Sequence, residues 1–133
     1  MVKHVRGVLD TSVLIDIESL GSDVLPDEMT IAAVSLAELA AGPHAATDPV
    51  ERARRQERLQ RVEATFHPLP FGAEAARAYG QIYAAVSALG RNPRRRVVDL
   101  LIAATALAAG LPLYTRNPSD FEGLANLIEV VGV

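Results

Sequence analysis

Four acidic side chains, Asp10, Glu38, Asp99 and Asp120, stand at the ends of apolar segments, although they are scattered over most of the chain. Asp10 closes the apolar run Val8-Leu9. Glu38 lies in the opening turn of an expected helix, Asp99 begins the most apolar helix, and Asp120 follows the last strand but one. A carboxylate at the end of an apolar element is costly to bury alone, and a cation that gathers several of them removes that cost. Three or four oxygen donors, with water in the remaining positions, suit Mg2+ or Mn2+, hard ions that tolerate a partial protein cage. The chemistry such a site favours is attack on phosphate. The ion polarises a phosphoryl oxygen and lowers the pKa of a bound water, and a carboxylate orients that water.

Each acid also has a structural reading. Asp10 can bond the amides of the next helix, but Thr11 and Ser12 already offer caps there. Asp16, one and a half helical turns on, is more ambiguous: it reads first as a solvated face residue, with a supporting role behind the site as the lesser alternative. Glu38 falls three residues after Ser35, the spacing of a capping box, so a structural and a ligand role are both open and partly compatible. Asp99 is the sharpest case, because Ile102, Ala103 and Ala106 follow it at helical spacing and place it on the inward face. Alone there it would become neutral; beside a divalent cation it stays ionised. Asp120 lies in the turn-like stretch Arg116–Phe121. Turn chemistry alone accounts for Asn117 and Asp120, whereas beside the other acids Thr115, Asn117 and Asp120 read as a loop giving oxygens to metal or water.

The elements that must position these residues alternate. Strands are expected at Val5–Leu9, Thr30–Val34, Phe66–Leu69, Leu113–Thr115 and Leu127–Val131. Helices are expected from Ser12 to about Leu20, from a capping box at Ser35–Glu38 to a stop at Gly42-Pro43, from Asp48-Pro49 to about Thr65, over Gly72–Leu89, and over Val97–Ala109 with Gly110 as its stop. Strands alternating with helices imply a parallel sheet covered on both faces, in which ligands collect beyond the carboxyl ends of the strands. Asp10, the Ser35–Glu38 segment and Thr115–Asp120 all fall at such ends.

At 133 residues the chain is one domain with room for a genuine core. With three Tyr, three Phe and no Trp, that core is built from Ala, Val and Leu. The absence of Cys excludes disulfides, thiolate metal sites and cysteine nucleophiles, which disfavours zinc and favours an oxygen-ligated hard cation if any metal binds. Met-Val-Lys-His-Val-Arg leads into a short apolar stretch broken by Gly7 and Asp10, neither a signal peptide nor a membrane anchor, so a cytoplasmic protein with no membrane contact is expected. His4, His44 and His67 follow no ligand spacing, and Gly7 and Gly72 form no phosphate-binding motif.

The net charge of −3 hides an uneven distribution. From Met1 to Glu28 six acids face two bases, and from Glu51 to Asp99 ten arginines face five acids. Arg91, Arg94, Arg95 and Arg96 directly precede the Asp99 helix, where cations oppose the helix dipole. Either the segment is a solvated loop, or it binds a polyanion that approaches the carboxylates, which explains both position and sign. Arg52, Arg54, Arg55, Arg58 and Arg61 interleave with Glu51, Glu57 and Glu63 and read as an exposed, ion-paired helix face.

The segment Leu9-Asp10-Thr11-Ser12-Val13-Leu14-Ile15-Asp16 resembles the opening of PIN-domain ribonucleases, particularly the VapC-type toxins of toxin–antitoxin pairs. Val34–Leu39, Asp99–Ala106 and Thr115–Phe121 resemble the second, third and fourth motifs of that family, in order and along the whole chain. The resemblance implies a three-layer α/β/α sandwich around a central parallel sheet, and Mg2+- or Mn2+-dependent endonucleolytic cleavage of RNA. It implies an acidic site of Asp10, Glu38, Asp99 and Asp120, with Asp10 and Asp99 on the metal and Ser12, Thr115 and Asn117 in support. It also implies a cognate antitoxin whose tail occupies the site, and a homodimer. Val98, rather than a small residue, precedes Asp99, a departure not expected to abolish ligation.

Three rival readings stand beside it. A non-catalytic PIN-like module binding RNA or protein would use the same carboxylates only to cap helices. A phosphoacceptor receiver domain needs a Lys near a late strand, and the only Lys is Lys3. A haloacid-dehalogenase-like phosphatase would want Asp where Ser12 stands.

Overall fold

The structure, a computed structural model, describes residues 4–133; Met1–Lys3, where the stretch read as neither signal nor anchor begins, lie outside them. Four strands, β1 (Arg6–Leu9), β2 (Glu28–Ile31), β3 (Leu113–Thr115) and β4 (Val130–Gly132), form one parallel sheet in the order β2-β1-β3-β4. β1 is central because Val8 and Leu9 are apolar on both faces, as a strand covered on both sides must be. The period of two sends its side chains to two separate cores. Val8 and Leu113 join Ile82, Leu100 and Phe121 under helices α4 (Ala73–Ala88) and α5 (Val97–Ala109). Leu9, Ile31 and Tyr114 join Val13, Leu39 and Val62 under α1 (Thr11–Ile15), α2 (Ala33–Ala45) and α3 (Pro49–Thr65). This is the expected three-layer α/β/α sandwich. Among the described residues no helix is long and apolar enough to cross a membrane.

α3 and α5 run as their caps dictate. Asp48 accepts the Glu51 amide at 3.0 Å, and Gly110 ends α5 in the left-handed region at φ 68°. The second strand and second helix differ from expectation. β2 ends at Ile31, and α2 starts at Ala33, two residues before the expected cap. The Ala33 amide donates to Leu69 O, a bond that also reduces the expected Phe66–Leu69 strand to a single bridge between Ala32 and Leu69. Ser35 is therefore inside the helix and fully buried, with no partner for its hydroxyl, and there is no capping box. α2 also continues through Gly42-Pro43 to Ala45, because Pro43 is buried and Arg55 of α3 donates to Gly42 O at 3.0 Å. The first helix is shorter than expected. α1 ends at Ile15 and gives way to a 3-10 turn at Ile17–Ser19, and Ser12 lies inside it rather than capping it. The last strand is displaced, to Val130–Gly132.

One glycine of β1 is required by its neighbour. A Cβ on Gly7 would lie 2.6 Å from the buried Tyr114 ring and 3.1 Å from Pro26. Gly7→Ala is expected to destabilise the fold by about 1–3 kcal/mol through overpacking. Thermal denaturation checks this, and an unchanged midpoint would show that the ring moves aside freely.

Candidate active site

β1 carries the chain out of the sheet at Asp10, whose amide donates to Tyr114 O at 2.8 Å. The Asp10 side chain is 4% exposed, and it makes no bond to the amides of α1, although Asp10 occupies the N-cap position. Capping is therefore not what its carboxylate does. Oδ2 instead accepts the hydroxyls of Thr115 at 2.9 Å and Ser12 at 2.8 Å. Thr115 Oγ1 in turn accepts the Asn117 amide at 3.0 Å, and Ser12 Oγ accepts the Arg116 amide at 3.1 Å. Both bonds to the carboxylate fall on Oδ2, which leaves Oδ1 as the free acceptor. Two hydroxyls, each fixed by a backbone amide of the loop after β3, thus hold one buried carboxylate in a single orientation. Asn117 itself is exposed and enters this network through its backbone.

The other three acids arrive from neighbouring elements. Glu38, in the second turn of α2, accepts the Thr11 hydroxyl at 2.5 Å. Asp99 lies in the first turn of α5 with its side chain 31% exposed, and Asp120 lies in a 3-10 turn at Pro118–Phe121, 25% exposed. Burial pushes the Asp99 carboxyl up to about 6, and the charges of Asp10, Asp120 and Glu38 add to the rise, against the pull of the Arg96 guanidinium. Strand order explains how residues so distant converge. Glu38 follows β2, Asp10 follows β1 and Asp120 follows β3, three adjacent strands that all end on one rim.

Among the described residues no three His, Cys, Asp or Glu side chains already meet in ion-holding geometry, so the acids converge without forming a closed shell. Their chemistry nevertheless fits a hard divalent cation. The donors are carboxylate and hydroxyl oxygens, and the crowding that pushes Asp99 up is relieved by positive charge.

The basic segment before α5 divides in two. Arg96 pairs with Asp120 at 2.9 Å and Asp99 at 3.7 Å, and Arg91 pairs with Glu122 at 2.5 Å. Arg94 and Arg95 are exposed and make no ion pair among the described residues. Compensation of site carboxylates thus accounts for Arg96 at a position where the helix dipole opposes it. A cleft of about 460 Å³ beside Asp120 is lined by Arg91, Arg95, Arg96, Leu100 and Glu122. Contacts not foreseen from sequence include the Thr11 bond to Glu38 and the pairing of Asp16 with Arg116 at 3.4 Å. The compact run Asp10-Thr11-Ser12 directly after a strand was the available signal for the first.

The PIN domain family matches residues 7–127. The chain is 39% identical over 132 residues to Ribonuclease VapC5 of Mycobacterium tuberculosis, covering 96% of this chain and 95% of that protein. It is 32% identical over 128 residues to Ribonuclease VapC of Rickettsia bellii, covering 90% and 91%. In structure it is similar to a member of the VapBC family of toxin–antitoxin systems, VapBC-5 from Mycobacterium tuberculosis, with a TM-score of 0.81 and 34% identity over 97% of this chain and 99% of that one. With the sandwich fold, the acids on one rim and relatives of this identity over nearly its full length, the chain belongs to the PIN-domain family and is of the VapC type.

Proposed function

We propose that this chain is a Mg2+- or Mn2+-dependent endoribonuclease, the toxin of a toxin–antitoxin pair, acting in the cytoplasm as a homodimer and neutralised by a cognate antitoxin. The observation that carries the reading is the convergence of Asp10, Glu38 and Asp120 on Asp99 at the carboxyl-end rim of a parallel sheet. The relatives' names, Ribonuclease VapC5 and Ribonuclease VapC, supply the reaction class, and the VapBC structure supplies the antitoxin.

In this reading Asp10 and Asp99 hold the ion and Glu38 and Asp120 complete the acidic site. When bound, the ion polarises the phosphoryl oxygen and supplies a water of lowered pKa. The chain's own residues do the rest. Thr115 and Ser12 keep Oδ1 of Asp10 available by occupying Oδ2, and Thr11 fixes Glu38. Arg96 balances the charge of Asp120 and Asp99, and the unpaired Arg94 and Arg95, with Arg91, meet the RNA backbone beside them. A carboxylate of the rim orients the attacking water.

The test is direct. The purified chain incubated with RNA and Mg2+ is expected to yield discrete cut fragments, and none after EDTA. RNA left intact under both conditions would remove the reading in favour of a binding module.

A further inference from the structure

The strand order that assembles the acids also gives them two ends. Along the rim Glu38 lies at the β2 side and Asp120 at the β3 side, with Asp10 between. The cleft with Arg91, Arg95 and Arg96 opens at the Asp120 end. A second cleft, of about 330 Å³, opens at the Glu38 end, walled by Thr11, Glu38 and Gly42 and by Glu51, Arg55 and Arg58 of α3, where Glu51 neutralises Arg55 and leaves Arg58 as the cation without a partner among the described residues.

The α3 arginines are not alike. Arg54 and Arg55 pair with Glu51 at 3.2 and 3.1 Å, Arg61 pairs with Glu18 at 3.4 Å and Glu57 at 3.6 Å, and Arg52 donates to Ala46 O at 2.9 Å. Arg58 alone among them has neither an ion pair nor a hydrogen bond within the described residues, and it is half-buried. With its stem packed on the helix and no carboxylate taken, the Arg58 guanidinium is available to an anion that enters the cleft.

Resting on the ribonuclease reading, we infer that the cleft between α1, α2 and α3 is a second substrate subsite, in which Arg58 takes a backbone phosphate of the RNA strand on the far side of the acids from Arg91–Arg96. The acids then have a cation without a partner on either side, Arg95 in the cleft at the Asp120 end and Arg58 at the Glu38 end, where a polyanion whose central phosphate meets the carboxylates can place its flanking phosphates. β2 and β3 are two strand spacings apart, about 10 Å, so a single strand lying along the rim reaches both clefts within a few nucleotides.

The test is salt-dependent binding of a fluorescent single-stranded oligoribonucleotide in EDTA, where no cleavage intervenes, alongside a cleavage assay of the wild type with Mg2+. Arg58→Gln is expected to bind more weakly and to reduce the slope of log affinity against log salt by about 0.7, the loss of one phosphate contact on a single strand. Arg58→Lys is expected to keep the slope, and Arg61→Gln, whose arginine is paired and does not line this cleft, to keep both slope and affinity. Thermal midpoints matching the wild type confirm that all three fold. A wild type that cleaves RNA while Arg58→Gln binds with an unchanged slope removes this assignment alone, and leaves the cleft to an acidic peptide or to nothing. A wild type that neither binds nor cuts RNA removes the ribonuclease reading and this assignment together.

Discussion

Asp99→Asn is expected to lower RNA cleavage by about two to three orders of magnitude, the scale of losing one charge-stabilising group at a reacting centre, while making the metal-free protein more stable. The two effects have one cause. Asp99 is ionised at neutral pH only against burial and against the charges of Asp10, Asp120 and Glu38. A rise from 3.8 to about 6 corresponds to about 3 kcal/mol at full burial. With the side chain 31% exposed, water screens this to about 1–2 kcal/mol. Asn keeps the shape and discards the charge, so the thermal midpoint in EDTA at about pH 8 is expected to rise by about 4–7 °C. If the carboxylate were structural, Asn would lower the midpoint instead. Loss of cleavage with a lower midpoint would show that Asp99 holds the fold and would undo the catalytic interpretation.

Divalent cations are expected to stabilise the wild type strongly at about pH 8 and little at about pH 5. For the metal-free protein the sign follows from Asp99. Its folded-state value lies above the unfolded one, so between about pH 4 and 6 the folded chain binds more protons and its stability falls as pH rises. Below that window Asp99 is neutral in both states and contributes no penalty; above about pH 6 the penalty is complete. A bound Mg2+ or Mn2+ reverses the balance by favouring the ionised carboxylate, so its stabilising effect grows across the same window. Thermal denaturation with and without Mg2+ at the two pH values measures the difference. An equal gain at both would mean that the ion binds away from Asp99. In Asp99→Asn the pH dependence of the gain is expected to shrink.

The architecture was legible because it rests on short-range patterns. The runs at Val5–Leu9, Leu113–Thr115 and Val97–Ala109 appear where apolar residues fill a strand or a helix face, and the stop at Gly110 and the start at Asp48-Pro49 are local backbone chemistry. The boundaries that moved were those decided by distant partners. α2 starts at Ala33 because Leu69 O takes the Ala33 amide, and no inspection of Ser35–Glu38 reveals a bond to a residue more than thirty positions away. Ser12 was read as a cap because Ser at that spacing caps helices well; its hydroxyl is instead drawn to the buried carboxylate two residues earlier.

The same division holds for the site. The four acids were legible as candidates in the sequence alone, since a carboxylate closing an apolar element is costly to bury wherever the chain folds. Which arginines compensate them does not follow, because a guanidinium on a long stem pairs with whichever carboxylate the packing brings within reach. Arg96 reaches Asp120, Arg91 reaches Glu122, and among the described residues Arg58 is the one α3 arginine left without a partner, on a helix whose sequence read as mostly ion-paired. Residue type and period set the elements and the acids. Parallel strand order, a long-range property of the whole sheet, set their common rim, and the packing around it set the two clefts and which of the nearby charges find a partner.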